Sequence, residues 1–275
     1  MKIHLEKDRS AKSAIVFVAG LLAAFVLSAS SVFAQGGNCN ALPTRSALET
    51  ALNAVVDAGG NGGFPFQMWL TAVNRDGEVC EVIFSGNDRG DQWPGSRVIS
   101  AQKANTANAF SLPGLALSTA NLFSAVQPGN SLYGLQHSNP VDTTVAYGGV
   151  SANNGQPNDH MAGKKIGGVN VFGGGLPLYN SGGTLVGALG VSGNTSCTDH
   201  IIAWKVRDAV KFDTLPGGVS PTKDDNIIHD ISVDSKTGHS ASAGGWGHPE
   251  CDAAAASIAN ELPSTHPVSK AAPDR

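Results

Sequence analysis

Phe172-Gly-Gly-Gly-Leu-Pro-Leu-Tyr179, a turn at Asn180-Ser181-Gly182-Gly183, and Thr184-Leu-Val-Gly-Ala-Leu-Gly-Val-Ser192 form the stretch that decides the fold. The run from Thr184 to Ser192 is apolar at odd and even positions alike, as a strand covered on both faces must be. Gly173 to Gly175 permit positive φ and a close approach of backbone to backbone. Glycine permissiveness carries no chemistry of its own, so these residues read equally well as architecture and as the wall of a site.

Outward from this stretch the elements alternate. Thr44 caps an amphipathic helix carrying Leu48, Leu52, Val55 and Val56, and Gly59-Gly60 end it. Gln67 to Asn74 and Glu78 to Ser85 read as strands joined by the turn Arg75-Asp76-Gly77. A polar loop, 86–96, precedes an Ala-rich helix from Ser100 to Phe110. Beyond the break at Pro113-Gly114 a second short helix is expected over Leu115 to Val126. Residues 138–165 show little periodicity and read as a loop insertion. Thr198 to Phe212 is the last clear helix. After it, 213–275 is a loop-rich extension with one strand-like piece, Asn226 to Val233, and a disordered final dozen residues. Tight turns between neighbouring strands imply an antiparallel sheet with helices on its faces, hence one α+β domain.

Composition narrows the function. The chain has 275 residues, 41% apolar and 15% charged, with a formal charge of −4. That balance lacks the basic face a nucleic-acid binder needs. Residues 1–34 read as a signal peptide: Lys2, Lys7, Arg9 and Lys12 precede an apolar run from Ala14 to Leu27, and Val32-Phe33-Ala34 offers a cleavage site before Gln35. The apolar run is 14 residues long, short of the roughly 20 that span a bilayer, so no stable membrane insertion is expected after cleavage. Cleavage leaves 14 Lys and Arg against 20 Asp and Glu, a charge of −6. The expected location is periplasmic or secreted. In such an oxidising compartment Cys39, Cys80, Cys197 and Cys251 favour two disulfides. Three pairings are open. Cys39–Cys80 with Cys197–Cys251 is preferred, because each bond then ties a flanking segment to the nearest core element.

Standard catalytic signatures are missing. Gly190-Val191-Ser192-Gly193 lacks nucleophile-elbow spacing, Gly163-Lys164-Lys165 is no P-loop, and no H-E-x-x-H occurs. Glu78 and Glu81 are a candidate cation pair, but three residues apart on a strand they point to opposite faces, which argues against both being ligands.

The 172–193 segment resembles the signature of the GlcG/HbpS family of heme-binding proteins, whose fold also appears as the PduO C-terminal domain. Ala72-Val73-Asn74-Arg75-Asp76-Gly77, Lys103-Ala104-Asn105-Thr106-Ala107 and Ser131-Leu132-Tyr133-Gly134-Leu135-Gln136 agree in the same order. The resemblance covers about Ala47 to Val210 and assigns residues 35–212 to one family-like domain. It implies a profilin-like fold, a five-stranded antiparallel sheet flanked by helices, and a homo-oligomer. Carried onto this chain, it implies a ligand groove beside the helix of Lys103, Thr106 and Phe110, with Tyr133, Gly174, Gly175 and Gly193 on its walls. Lys103 would hold a carboxylate of the ligand. His137, next to the Tyr133 landmark, is the candidate iron ligand, although a surface histidine explains it as readily. The expected function is binding, transfer or sensing of heme or another tetrapyrrole without catalysis. The alternative is an accessory protein or enzyme of small-molecule catabolism.

Overall fold

The computed structural model describes residues 38–236, 238 and 240–271, so the signal-like segment 1–34 and His239 lie outside the described residues. The described residues belong to one compact unit. In chain order they form α1 (Arg45–Ala58), β1 (Trp69–Asn74), β2 (Val79–Phe84), α2 (Ser96–Phe110), the single turns α3 (Leu135–Ser138) and α4 (Thr143–Ala146), β3 (Gly175–Tyr179) and β4 (Leu185–Ser192). Then follow α5 (Ser196–Val210), β5 (Thr214–Leu215), β6 (Ile231–Val233), β7 (Ser240–Ser242), α6 (Ala253–Thr265) and β8 (Ser269–Lys270).

The main sheet has four strands in the order β2-β1-β4-β3, all antiparallel, where the resemblance implied five. Beside β3, among the described residues, Tyr179 makes an isolated bridge to Asp213. Thr214 and Leu215 pair with Ser269 and Lys270 in a separate parallel pair.

Side chains alternate across the sheet. Leu70, Ala72, Leu189 and Val191 face one core with Leu48 and Leu52 of α1 and Ile201, Ile202 and Trp204 of α5. Trp69, Val73 and Ala188 face the other, with Val98, Ala101, Ala104 and Ala107 of α2. Fully burying a large apolar side chain is worth about 1.5–3 kcal/mol, so both faces stabilise the fold. The α2 face is held unusually close. A Cβ on Gly190 would stand 2.0 Å from the Ser100 carbonyl and 2.5 Å from the Ala104 nitrogen. Ser100 Oγ lies 2.7 Å from Thr71 Oγ1 on β1, so the tight contact carries a buried hydrogen bond as well.

Several boundaries differ from expectation for local reasons. Thr44 caps α1 as expected, through its side chain and the Ala47 N–H. The helix expected over 115–126 is two 3-10 turns, Thr119–Leu122 and Ser124–Val126. There the Thr119 hydroxyl leaves the helix path to accept from the Gly175 N–H at 2.9 Å. The insertion 138–165 contains α4 and no strand, yet Ala146 and Met161 enter the α2-side core. The extension is more ordered than expected. Asp252 caps α6, whose Ala255, Ala259 and Leu262 pack in the α5-side core. Ser264 to Ala271 finish α6 and carry β8, where disorder was expected. The preferred cysteine pairing is present: Cys39–Cys80 and Cys197–Cys251 are joined, with Cα atoms 5.5 and 5.9 Å apart.

Gly190→Ala is therefore expected to lower stability by about 3 kcal/mol or more, because helix and strand must part to admit the methyl group. Gly114→Ala, where a Cβ meets nothing within 4 Å, should change it by less than about 0.5 kcal/mol. Denaturant midpoints of the two variants check this; equal effects would show that the α2–β4 contact is slack.

Candidate functional site

Lys103 lies at the centre of α2 directly over Gly190, and the fold leaves it one route. Its side chain runs between helix and sheet, 2% exposed, to place Nζ 2.6 Å from Asp199 Oδ2 and 3.2 Å from the Val191 carbonyl. Asp199 sits in the first turn of α5, where the helix N-terminus favours negative charge. Its other oxygen accepts from the Asn194 N–H at 2.9 Å. Burial pushes the Asp199 carboxyl up to about 6, against the pull of Lys103. Burial likewise lowers the Lys103 ammonium from its usual range, against the pull of Asp199. Gly174, at φ +118°, roofs the pair; a Cβ there would stand 3.2 Å from Nζ and 3.0 Å from the Asp199 Cβ. A ligand carboxylate could reach Lys103 only by displacing Asp199, so the expected groove cation is an internal ion pair.

The other expected residues divide. Thr106 accepts from the Asn170 N–H at 2.9 Å and so fixes the approach to the glycine run. Gly175 and Gly193 lie against backbone: added Cβ atoms would meet the Lys103 carbonyl at 2.5 Å and the Gln67 carbonyl at 2.5 Å. Phe110 packs in a separate apolar cluster with Leu132 and Leu135. Tyr133 is 63% exposed and His137 is exposed on the single turn α3. Neither is among the hydrogen-bond partners of Lys103. Glu81 pairs with Arg45 at 3.0 Å, while Glu78 Oε2 takes the Asn74 amide at 3.4 Å, so these two carboxylates do not converge.

What the fold does converge is a set of histidines. His200 on α5 is fully buried, with Nε2 3.1 Å from the Ile227 nitrogen and 3.2 Å from Asn226 Oδ1. Burial pulls its pKa down to about 3. His248, 2% exposed, donates from Nδ1 to the Pro249 carbonyl at 2.7 Å, which leaves the lone pair on Nε2. Burial pulls its pKa down to about 4. The half-buried His229 sets Nδ1 3.3 Å from the His248 carbonyl. His200 Nδ1, His229 Nε2 and His248 Nε2 are buried and lack a partner among the described residues. An unsatisfied buried polar atom costs about 1–3 kcal/mol, so three such nitrogens on one wall of the fold call for an account.

His229 and His248 line a half-open cavity of about 640 Å³ with Phe123, Pro128, Ile231 and Val233. The rings of Phe123 and His248 are 5.1 Å apart, and Phe123 in turn lies 6.0 Å from Phe172 at the start of the glycine run. One ligand atom each of Cys197, Cys251 and His248 fall within 4.8 Å of one another. Both sulfurs are spent in the disulfide, however, so no thiolate metal site exists in this state. Residue type alone could have flagged these histidines, but the closure that unites them joins α5 to a hairpin about 30–50 residues further on.

A family model described as "Haem degrading protein HbpS-like" matches residues 46–208. A crystal structure of Klebsiella pneumoniae protein ORFY is 25% identical, covering 60% of this chain and 88% of its own, with a TM-score of 0.39. A PduOC heme complex is 23% identical over 60% and 89% of the two chains, with a TM-score of 0.42. A double mutant of Streptomyces reticuli HbpS is 17% identical over 60% and 84%, with a TM-score of 0.35. No curated protein matches the chain.

Lys103→Met should leave Asp199 buried without its cation and cost about 3–5 kcal/mol, with Asp199→Asn in the same chain restoring part of the loss. Denaturation of the single and double variants measures both; an unchanged single variant would mean that water reaches the pair. His200 sets a pH dependence. An unfolded imidazole protonates near 6.5, the folded one near 3. As pH falls through that window the unfolded chain takes a proton the folded chain refuses, and stability drops by about 1.4 kcal/mol per unit. The raised Asp199 acts in the opposite sense between about 4 and 6, in wild type and His200→Gln alike. The difference between the two proteins should therefore shrink steadily as pH falls from 6.5; a constant difference would count against a neutral His200.

Proposed function

Because the chain belongs to the HbpS-like family over residues 46–208, we propose that it is an exported protein that binds heme or a related tetrapyrrole without transforming it. The observation that carries the reading is the cavity beside Phe123. A porphyrin needs apolar walls, a donor for iron and polar groups for its carboxylates. Phe123, Ile231 and Val233 supply apolar lining and Gln127, Asn130 and Ser242 polar groups, while the free Nε2 atoms of His229 and His248 are buried. The apolar and polar lining suits a flat macrocycle, but among the described residues this cavity exposes no nitrogen donor for iron. Bound heme would supply an iron centre open to axial ligation; the chain's own part is to bury the macrocycle and hold it in one orientation.

Export is part of the proposal. Two disulfides suit an oxidising compartment, and among the described residues no helix is long and apolar enough to cross a membrane. A profilin-like relation of sheet and helices, a family-like domain over 35–212, a homo-oligomer and a periplasmic or secreted location complete the reading. N-terminal sequencing of the exported form should begin at Gln35; Met1 there would overturn cleavage. Hemin added to the exported chain should give a saturable Soret band, with protoporphyrin as the metal-free comparison. A chain that saturates with neither is an accessory protein, and the binding reading is then wrong.

A further inference from the structure

Both disulfides tie a flanking segment to the core, but they end on differently supported sulfurs. Cys251 reaches solvent, while its partner Cys197, in the first turn of α5, is fully buried. The Cys197 N–H donates to Cys251 Sγ at 3.1 Å, and the Ser196 hydroxyl lies 3.4 Å from the same sulfur. Both groups belong to the N-terminus of α5, where free N–H groups and the helix dipole favour a negatively charged sulfur. On the buried side, Cys197 Sγ lies 3.5 Å from the Pro249 carbonyl, which can accept an S–H once the bond is open. The Cys39–Cys80 bond is supported otherwise: Cys80 lies within β2, and Cys39 Sγ has the Asn74 side-chain amide at 3.8 Å. The charges near Cys251 are accounted for. Asp252 is turned to the Ala255 N–H at 2.8 Å, Asp199 is paired with Lys103, and Glu250 is exposed to screening solvent. One ring nitrogen of His248 comes within 4.8 Å of the sulfurs, and burial keeps that ring neutral.

We propose that Cys197–Cys251 is a thiol-exchange site, opened in the native fold by an external dithiol that attacks Cys251, whereas Cys39–Cys80 is a structural tie. In the first step a thiolate of the dithiol bonds to Cys251 Sγ, the accessible sulfur, and the Cys251–Cys197 bond breaks. The electron pair goes to Cys197 Sγ, which takes a proton from water and faces the Pro249 carbonyl as a thiol. In the second step the other thiol of the reductant, deprotonated, attacks the reductant's own sulfur in the mixed disulfide. Cys251 Sγ leaves with the electron pair, and the Cys197 N–H and the Ser196 hydroxyl hold the departing thiolate. The dithiol has then lost two electrons to become a disulfide, and the chain carries two reduced cysteines. Opening the bond removes the covalent tie between the extension and α5. Pro249 and Glu250, which line the 640 Å³ cavity, stand beside Cys251, so the state of this bond sets how firmly that wall is held. The proposal is independent of the tetrapyrrole reading.

The test treats the exported wild-type chain, folded at neutral pH, with a limiting amount of dithiothreitol, quenches with iodoacetamide and maps the alkylated peptides. Cys197 and Cys251 should be labelled at least about tenfold faster than Cys39 and Cys80, with the circular dichroism spectrum unchanged over the same interval. A monothiol, mercaptoethanol, trapped by acid quenching, should be found as a mixed disulfide on Cys251 and not on Cys197. Equal labelling of the two pairs, or earlier labelling of Cys39 and Cys80, overturns the proposal. An adduct on Cys197 does the same, as does opening only at the rate at which the whole chain unfolds, measured separately in denaturant. None of these outcomes involves hemin, so a failed exchange leaves the tetrapyrrole reading standing, and a failed hemin titration leaves the exchange site standing.

Discussion

Helix α2 lies on β4 with no side chain between them at Gly190, and the rest of the molecule is arranged around that contact. Because helix and sheet are so close there, Lys103 can neither fold back nor reach solvent; it runs out beneath Gly174 to Asp199. Asp199 in turn fixes the start of α5 through the Asn194 N–H. The glycine run, the central strand, the middle of α2 and the head of α5 are thus one mechanical unit. The glycines act as architecture, and the one charge they enclose is already spoken for.

The loop over 138–165 and the segment after residue 212 are clipped to the sheet and its helices by the same chemical device. Arg97 of α2 reaches the insertion, where its Nε donates to Asp159 Oδ2 at 2.9 Å and its Nη1 to the Ala146 carbonyl at 2.9 Å. Arg207 of α5 reaches the extension, with two parallel contacts to Asp225 at 2.6 and 2.7 Å. In both cases a core helix offers a guanidinium and an added loop brings the carboxylate. The planar fork makes such pairs directional, so they fix position as well as adding attraction. The buried pairs are costly to desolvate and costly to break. That asymmetry makes the insertion and the extension parts of the fold and not loose decoration.

Legibility in the sequence followed the range of the interactions. Local chemistry was readable: Thr44 before a 3.6-residue apolar pattern, the Arg75-Asp76-Gly77 turn, and the unbroken apolar run of β4 each determine their element within a few residues. The disulfides were readable because four cysteines allow only three pairings and export favours oxidation. Helix α6 was missed because a Gly-, Pro- and Ser-rich surround masked Asp252 followed by an alanine run, and because Pro263 sits inside its last turns. The site was legible only in part. Lys103 stood out, but its partner is 96 residues away, and nothing local distinguishes a lysine facing a ligand from one facing a buried aspartate. His229 and His248 meet through a hairpin whose pairing, Ile231 to Ser242, is too short to announce itself.

The cover that α6 gives α5 sets an order of events. Trp204, 1% exposed, donates its indole N–H to the His266 carbonyl at 2.9 Å, and Leu262 and Ala259 complete the same core. A polypeptide is made N-terminus first. Until residue 266 has emerged, the outer face of α5 has nothing to lie against and Cys197 has no Cys251 to meet. The sheet and α2 can assemble early, but the α5 side is covered only once α6 has arrived, so the interval before it does is when this chain most needs an escort.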